Sequence, residues 1–144
     1  MRRAVAVTLK IPDNTAYTAA VALRNLGLQV ERVERSEIWF FDDAGDPAAL
    51  LSRIESDATI FNPNKHRATM LDHARPGDGE LWIEPLEARE GAGAMAWRLF
   101  VSGQRADRRL LAAAAQGLLC NPAIERAVYS SDGTEKRDIT NGAE

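Results

Sequence analysis

The chain has very few of the side chains that most often build catalytic or metal sites. Its 144 residues include one cysteine and two histidines. The single cysteine, Cys120, excludes an internal disulfide bond and fits a reducing compartment. His66 and His73 do not have the spacing of zinc ligands relative to each other or to Cys120. No phosphate-binding loop or dinucleotide fingerprint occurs either. We therefore expect no catalytic residue, no metal and no cofactor.

Long apolar runs are also absent. No segment approaches the ~20 apolar residues of a membrane span. The apolar stretch after Arg2 and Arg3 is too short for a signal peptide. The formal net charge is −3, whereas proteins that bind nucleic acid or anionic membranes usually carry a basic balance. We therefore expect a cytoplasmic protein that binds neither nucleic acid nor a membrane.

The first half of the chain contains alternating strand and helix patterns. Residues 4–11 alternate in hydrophobicity, which is typical of a strand. Residues 15–26 place their apolar side chains on one helical face, and Gly27 follows. Asp46 before Pro47 predicts the start of a second helix.

The segment 28–41 predicts two further strands with a tight reversal near Arg35 and Ser36. A short strand is expected after Asn62-Pro63. Residues 4–71 therefore predict the order βαββαβ, which is ferredoxin-like.

Composition suggests where the chain divides. We expect residues 1–72 to form a ferredoxin-like half, residues 73–80 a linker rich in glycine and proline, and residues 81–130 a second, truncated half. Residues 131–144 are polar and predict a disordered tail. The predicted fold class is α+β, with antiparallel sheets packed face to face.

A repeated motif indicates that the two halves are related. Asn-Pro, three variable residues and Arg-Ala occur at positions 62–68 and again at 121–127. When residues 37–70 are aligned without gaps to 96–129, strand falls on strand, helix on helix, and six positions are identical. We interpret this as a partial internal duplication in which the second copy lacks its first helix.

Trp39 and Phe41 share one face of a strand that is apolar on both faces. A sheet covered by helices on one side only should have one polar face, so something else must cover these two side chains. We expect them to pack against Trp97 or Phe100 of the other half, or against another subunit. An exposed aromatic patch would be prone to association.

Four segments of the chain resemble the small S subunit of phosphoribosylformylglycinamidine synthase (PurS). They read "VAVTLKIPDN", "ALRNLGLQ", "VERVERSEIWFF" and "LLCNPAIERAVY". The family has a V-x-V-x-L-K strand, a helix that ends in Leu-Gly, a hairpin and an L-L-A-N-P-x-I-E corner in the same order. The resemblance covers residues 4–42 and 105–130. The chain is longer than the usual single unit of the family, and Arg35-Ser36 replaces its Gly-Lys.

This resemblance implies a non-catalytic subunit. The family's complex converts formylglycinamide ribonucleotide to the amidine with ATP and with ammonia from glutamine, and the small subunit bridges its glutaminase and synthetase subunits. We therefore expect those two subunits as partners, and also a homo-oligomer. The expected partner interface consists of Lys10, Arg35, Trp39, Phe41, Asn121, Pro122 and Glu125. The basic stretch 62–67 offers Lys65 and Arg67 as phosphate contacts.

Other functions remain open at the level of sequence. Paired ferredoxin-like units often bind effectors at their interface, so a small-molecule-binding regulatory module is the main alternative. An enzyme with a pocket between the halves is another. RNA binding would use Trp39 and Phe41 as stacking platforms, although the acidic balance argues against it.

Overall fold

The computed structural model describes residues 2–42, 45–88 and 90–130, and the predicted tail at 131–144 lies outside them. Within these ranges the chain has an α+β fold with a seven-stranded antiparallel sheet. The strands are β1 (Arg2–Leu9), β2 (Arg32–Asp42), β3 (His66–Met70), β4 (Glu80–Pro85), β5 (Ala94–Val101), β6 (Gln104–Arg105) and β7 (Glu125–Tyr129). The helices are α1 (Asn14–Asn25), α2 (Pro47–Glu55) and α3 (Arg108–Ala114), which continues as a π-helical turn over Ala115–Leu119. No helix in the described part of the chain is long and apolar enough to cross a membrane.

The strand order is β3-β1-β2-β5-β4-β7, with the short β6 beside β5. Strands β3 and β7 therefore lie at opposite edges. Each helix begins after an aspartate, at Asp13, Asp46 and Asp107, and each aspartate side chain accepts a backbone hydrogen bond from the first turn. These caps satisfy donors that the helix itself leaves unpaired.

The predicted reversal at Arg35 and Ser36 is wrong. Residues 32–42 form one continuous strand, in which Arg35 pairs with Trp97 of β5. Neither Arg35 nor Ser36 favours the positive φ angle that a two-residue hairpin turn requires, and pairing with β5 stabilises the extended form. The chain from β1 to β3 therefore runs β1-α1-β2-α2-β3 and lacks the predicted hairpin.

The expectation of two sheets packed face to face is also wrong. The inner strands β2 and β5 pair with each other edge to edge, so both parts of the chain share one sheet. The length of β2 makes this possible. Residues 32–38 pair with β5, whereas residues 37–42 pair with β1 on the other side.

All three helices cover the same face of this sheet. On one half, Leu50 of α2 shares a core with Val7 of β1. On the other half, Leu23 of α1 and Leu111 of α3 share a core with Leu81 of β4. Each side chain buried in this way contributes on the order of 1.5–3 kcal/mol to folding, so this face is the main core of the protein.

Trp39 and Phe41 lie on the helix-covered face, where they are half-buried beside α2. They do not pack against Trp97 or Phe100. Trp97 belongs to the separate core beneath α1 and α3. Phe100 is the cross-strand neighbour of Arg32, on the opposite face. Trp39 and Phe41 are therefore covered by α2, a helix of their own half, and not by the other half of the chain.

Among the described residues, no helix packs on the opposite face of the sheet. Its core contains Trp82, which is fully buried, and Phe40, whose ring centroid lies 5.8 Å from that of Trp82. Residues 71–79 connect β3 at one edge to β4 near the other, so they must cross this face. Leu71 and Ala74 of the crossing segment pack into the same core. We call this surface the helix-free face.

We predict that Gly93→Ala destabilises the protein by about 1–3 kcal/mol, as overpacking of a core does. A Cβ atom at position 93 would lie 2.3 Å from Cδ2 of Phe40, so the ring would have to leave its place beside Trp82. Urea unfolding measures the change. Gly77→Ala is the control, because the nearest atom to a Cβ there is 4.0 Å away. Equal losses in both variants would contradict this account.

Candidate functional site

A cleft of about 710 Å³ opens where β1 separates from β2. The pairing of β1 with β2 extends only from Arg2 to Val7, whereas β1 stays paired with β3 as far as Leu9. Residues 32–36 of β2 therefore have β5 on one side and the cleft on the other. The sheet splits here, and polar groups from four neighbouring strands line the opening.

Arg98 is at the centre of the charges in the cleft. Its side chain is 13% exposed, and Nη1 donates to Oε2 of Glu80 at 2.8 Å. Nη2 donates to Oγ of Ser36 at 2.8 Å, and Nε donates to Oε1 of Glu34 at 3.4 Å. Hydrogen bonds between charged groups are roughly twice as strong as neutral ones, so these contacts hold the guanidinium in a fixed position.

Glu80 links the cleft to the core of the helix-free face. Besides its bond to Arg98, it accepts hydrogen bonds from Nε1 of Trp82 at 3.1 Å and from the backbone N–H of Gly77 at 3.0 Å. A buried carboxylate needs such partners, because an unpaired charge in the interior is strongly unfavourable. The network therefore ties together β4, β5 and the crossing segment 71–79.

Hydroxyl groups form the floor of the cleft between β1 and β2. Oγ1 of Thr8 lies 2.6 Å from Oγ of Ser36. Ser36 is 3% exposed. Arg67 and Thr69 project from β3 on the same side of the sheet and are exposed. The cleft thus combines a rigid buried arginine, a hydroxyl pair and an exposed arginine.

Glu34 stands at the rim of the cleft. Partial burial would raise the pKa of its carboxyl group, but hydrogen bonds and positive charge from Arg32 and Arg98 outweigh this, so the pKa lies below its ordinary value. Glu34 is therefore ionised at neutral pH. It acts as the counter-charge of both arginines.

Arg35, Trp39 and Phe41 were expected at a partner interface, and all three make contacts within the chain. Nε of Arg35 donates to Oδ2 of Asp13 at 2.8 Å, which ties β2 to the start of α1. Nε1 of Trp39 donates to Glu37 at 3.3 Å. These residues are at most partly accessible to a partner.

The Asn-Pro segment at residues 62–66 forms a compact corner before β3. Oδ1 of Asn62 accepts from the backbone N–H of Asn64 at 2.9 Å. The backbone N–H of Asn62 donates to Nδ1 of His66, also at 2.9 Å. The proline fixes one φ angle in the turn. We call this the first corner.

The segment 121–125 forms the same structure before β7, and we call it the second corner. Oδ1 of Asn121 accepts from the backbone N–H of Ala123 at 3.1 Å. The backbone N–H of Asn121 donates to Oε1 of Glu125 at 2.9 Å. Glu125 therefore has the role that His66 has in the first corner. Asn121 and Pro122 are exposed.

The two corners differ in the side chains that they expose. At the first, the backbone N–H of Lys10 donates to the carbonyl of Lys65 at 2.7 Å, and both lysine side chains are exposed. At the second, the N–H of Leu86 donates to the carbonyl of Ile124 at 2.9 Å. Leu86 is 46% exposed and Ile124 is 52% exposed. One corner is basic and the other is apolar.

The surroundings of Cys120 do not activate its thiol as a nucleophile. Burial, and secondarily the charge of Glu125, raises the pKa of its thiol above the ordinary value, so the reactive thiolate is disfavoured. Cys120 packs near β7 in the core under α1 and α3, whereas His66 begins β3 at the other edge of the sheet. Across the described ranges, no three acidic, histidine or cysteine side chains form a group that could hold a metal.

The sequence patterns alone did not predict the network of Arg98, Glu80, Ser36 and Thr8. A signal for it was present. Arg98 interrupts the apolar strand "AWRLFVS", and Glu80 begins the apolar strand "LWI". Charged residues inside such strands are usually paired when buried, but the sequence alone does not show which charges meet.

We predict that Arg98→Met destabilises the protein by about 3 kcal/mol, because it leaves the carboxylate of Glu80 buried without its counter-charge. Adding Glu80→Gln should recover part of this loss, since the remaining side chain carries no charge. Urea unfolding of the two single variants and the double variant measures the coupling. Strictly additive losses would show that the two side chains do not depend on each other.

The second corner allows a smaller, matched test. We predict that Glu125→Ala lowers the free energy of unfolding by about 1 kcal/mol, because the backbone N–H of Asn121 loses its acceptor. Glu125→Gln keeps a carbonyl acceptor in the same place and should remain close to the wild type. If both variants lose the same stability, the hydrogen bond does not support the corner.

No protein-family model matches the chain, and no curated protein shows a significant similarity to it. The function proposed below therefore depends on the residues and geometry of the chain, together with the resemblance described above.

Proposed function

We propose that the chain consists of two related units and acts as a non-catalytic subunit similar to the small S subunit of phosphoribosylformylglycinamidine synthase. The first unit is β1, β2, α2 and β3, with α1 inserted between β1 and β2. The second is β4, β5, α3 and β7. In each unit the first strand lies between the other two. This order is compatible with a ferredoxin-like unit in which one long strand replaces a hairpin.

The register of the strands supports the relation between the units. Val5 pairs with Trp39 in the first unit, and Leu81 pairs with Trp97 in the second. When β2 is matched to β5 by this pairing, Trp39 corresponds to Trp97. The ungapped sequence alignment instead placed Ile38 on Trp97, so the structural match of these strands is shifted by one residue. The second unit has the connection 86–93 where the first has α1.

The contrast between the two corners carries the proposal. They share their backbone hydrogen bonds and lie at opposite edges of the sheet, yet one exposes Lys10 and Lys65 and the other Leu86 and Ile124. A subunit that bridges two different proteins needs two separate docking surfaces of different chemistry. Charged surfaces guide association, and exposed apolar side chains add burial at a contact. We assign the glutaminase and synthetase subunits to these two surfaces.

A reconstitution with the glutaminase and synthetase subunits from the same host tests this function. The measured quantity is the rate of amidine formation from formylglycinamide ribonucleotide and ATP, with either glutamine or ammonium chloride as the nitrogen source. We expect the protein to be required with glutamine and dispensable with ammonium, because a bridge acts on ammonia delivery. A glutamine-dependent rate that is the same with and without the protein would contradict the proposal.

Variants of the two corners test which partner binds to each surface. Lys10→Glu with Lys65→Glu should weaken binding to one partner, and Leu86→Ser with Ile124→Ser should weaken binding to the other. Arg109→Glu is the control, because Arg109 is an exposed cation on α3, away from both corners. Size-exclusion chromatography of each pair of proteins shows which contact is lost.

One observation favours a second candidate function, a small-molecule-binding regulatory module. The cleft beside Arg98 lies where the two units meet, and its volume is within the range of small-molecule sites. A regulatory module would respond to a ligand in the isolated protein. The bridging function would instead show its effect only in the assembled complex.

A further inference from the structure

The carboxylates that line the cleft have little capacity left for a ligand. Asp13, Glu34 and Glu80 each accept hydrogen bonds on both carboxylate oxygens from groups of the protein. Glu31 accepts from the backbone N–H of Gly103 at 3.0 Å. A ligand rich in donors would therefore find few free acceptors among these side chains.

Donors, by contrast, remain unused. No hydrogen bond or ion pair among the described residues engages the guanidinium group of Arg67. Arg98 makes three hydrogen bonds, which leaves part of its donor capacity free. Thr8 and Ser36 share one hydrogen bond, and Ser36 also accepts from Arg98. Whichever hydroxyl donates in that pair, the other keeps a proton for a ligand.

These donors form a continuous row across four strands. Arg67 of β3 is the register partner of Thr8 of β1. Thr8 contacts Ser36 of β2 at 2.6 Å, and Ser36 contacts Arg98 of β5 at 2.8 Å. One end of the row is rigid and buried, and the other end is exposed and free to close on a ligand. Such a row suits a group that only accepts hydrogen bonds.

The charge of the cleft also favours an anionic ligand. Six of its lining residues are arginines and four are aspartate or glutamate, although the whole chain has a net charge of −3. The guanidinium fork matches the oxygens of carboxylates and phosphates. A local excess of positive charge in an acidic protein raises the local concentration of anions.

We propose that the cleft binds a small molecule through a phosphate or carboxylate group held between Arg67 and Arg98, with the Thr8 and Ser36 hydroxyls beneath it. The proposal names the ligand class of the second candidate function, on which it rests. It stands apart from the bridging function, because it concerns the isolated protein and makes no use of either corner.

Isothermal titration calorimetry of the full chain tests this proposal. The titrants are inorganic phosphate and succinate, with sodium chloride at matched ionic strength as the reference. We expect saturable binding of at least one titrant to a single site. Saturation by phosphate alone identifies a phosphate ligand, and saturation by succinate alone identifies a carboxylate ligand. Titrations that do not differ from sodium chloride would overturn the proposal.

Arg67→Gln is the decisive variant, because Arg67 is exposed and its loss leaves the fold intact, which circular dichroism verifies. We expect the dissociation constant to rise about tenfold or more, as for the loss of hydrogen bonds to a charged group. Arg126→Gln is the matched control. Arg126 is an exposed arginine on the other edge strand, paired with Glu84, and its replacement changes the net charge equally. If both variants weaken anion binding equally, the effect depends only on the net charge of the protein, and the proposed site is wrong.

Discussion

The pairing of β2 with β5 is the interaction on which the rest of the structure depends. It joins the two halves of the chain along their inner strands, and Arg35 lies opposite Trp97 at its middle. Because these strands meet edge to edge, one sheet results, with the helices on one face and the crossing segment on the other. The two Asn-Pro corners are consequently placed at opposite ends of the molecule, where each can contact a different protein.

The same pairing creates the cleft. Strand β2 is shared between β5 and β1, and β1 departs after Val7 to stay with β3. The opening brings charged groups into a partly buried position, where each must have a partner. Arg98, Glu80 and Glu34 satisfy one another there. The polar network and the ligand proposed for it therefore follow from how the sheet is divided.

Much of the local structure could be predicted from the sequence, but its assembly could not. The helix start at Asp46 and Pro47 and the α+β class with antiparallel strands are confirmed, since each depends on neighbouring residues. The reversal at Arg35 was wrong, because an alternating segment suits a hairpin and a long strand equally, and a partner sixty residues away decides between them. The cleft depends on four strands that no local pattern connects. Only the isolated charge of Arg98 in an apolar strand could have indicated it.

The most direct test of the central claim is site-specific photo-crosslinking in the complex reconstituted with both partner subunits. A photoreactive amino acid is placed at position 65 in the first corner or at position 124 in the second, and the captured protein is identified by mass spectrometry. We expect one position to capture the glutaminase subunit and the other to capture the synthetase subunit. Capture of the same subunit from both corners, or of neither subunit from either corner, would contradict it.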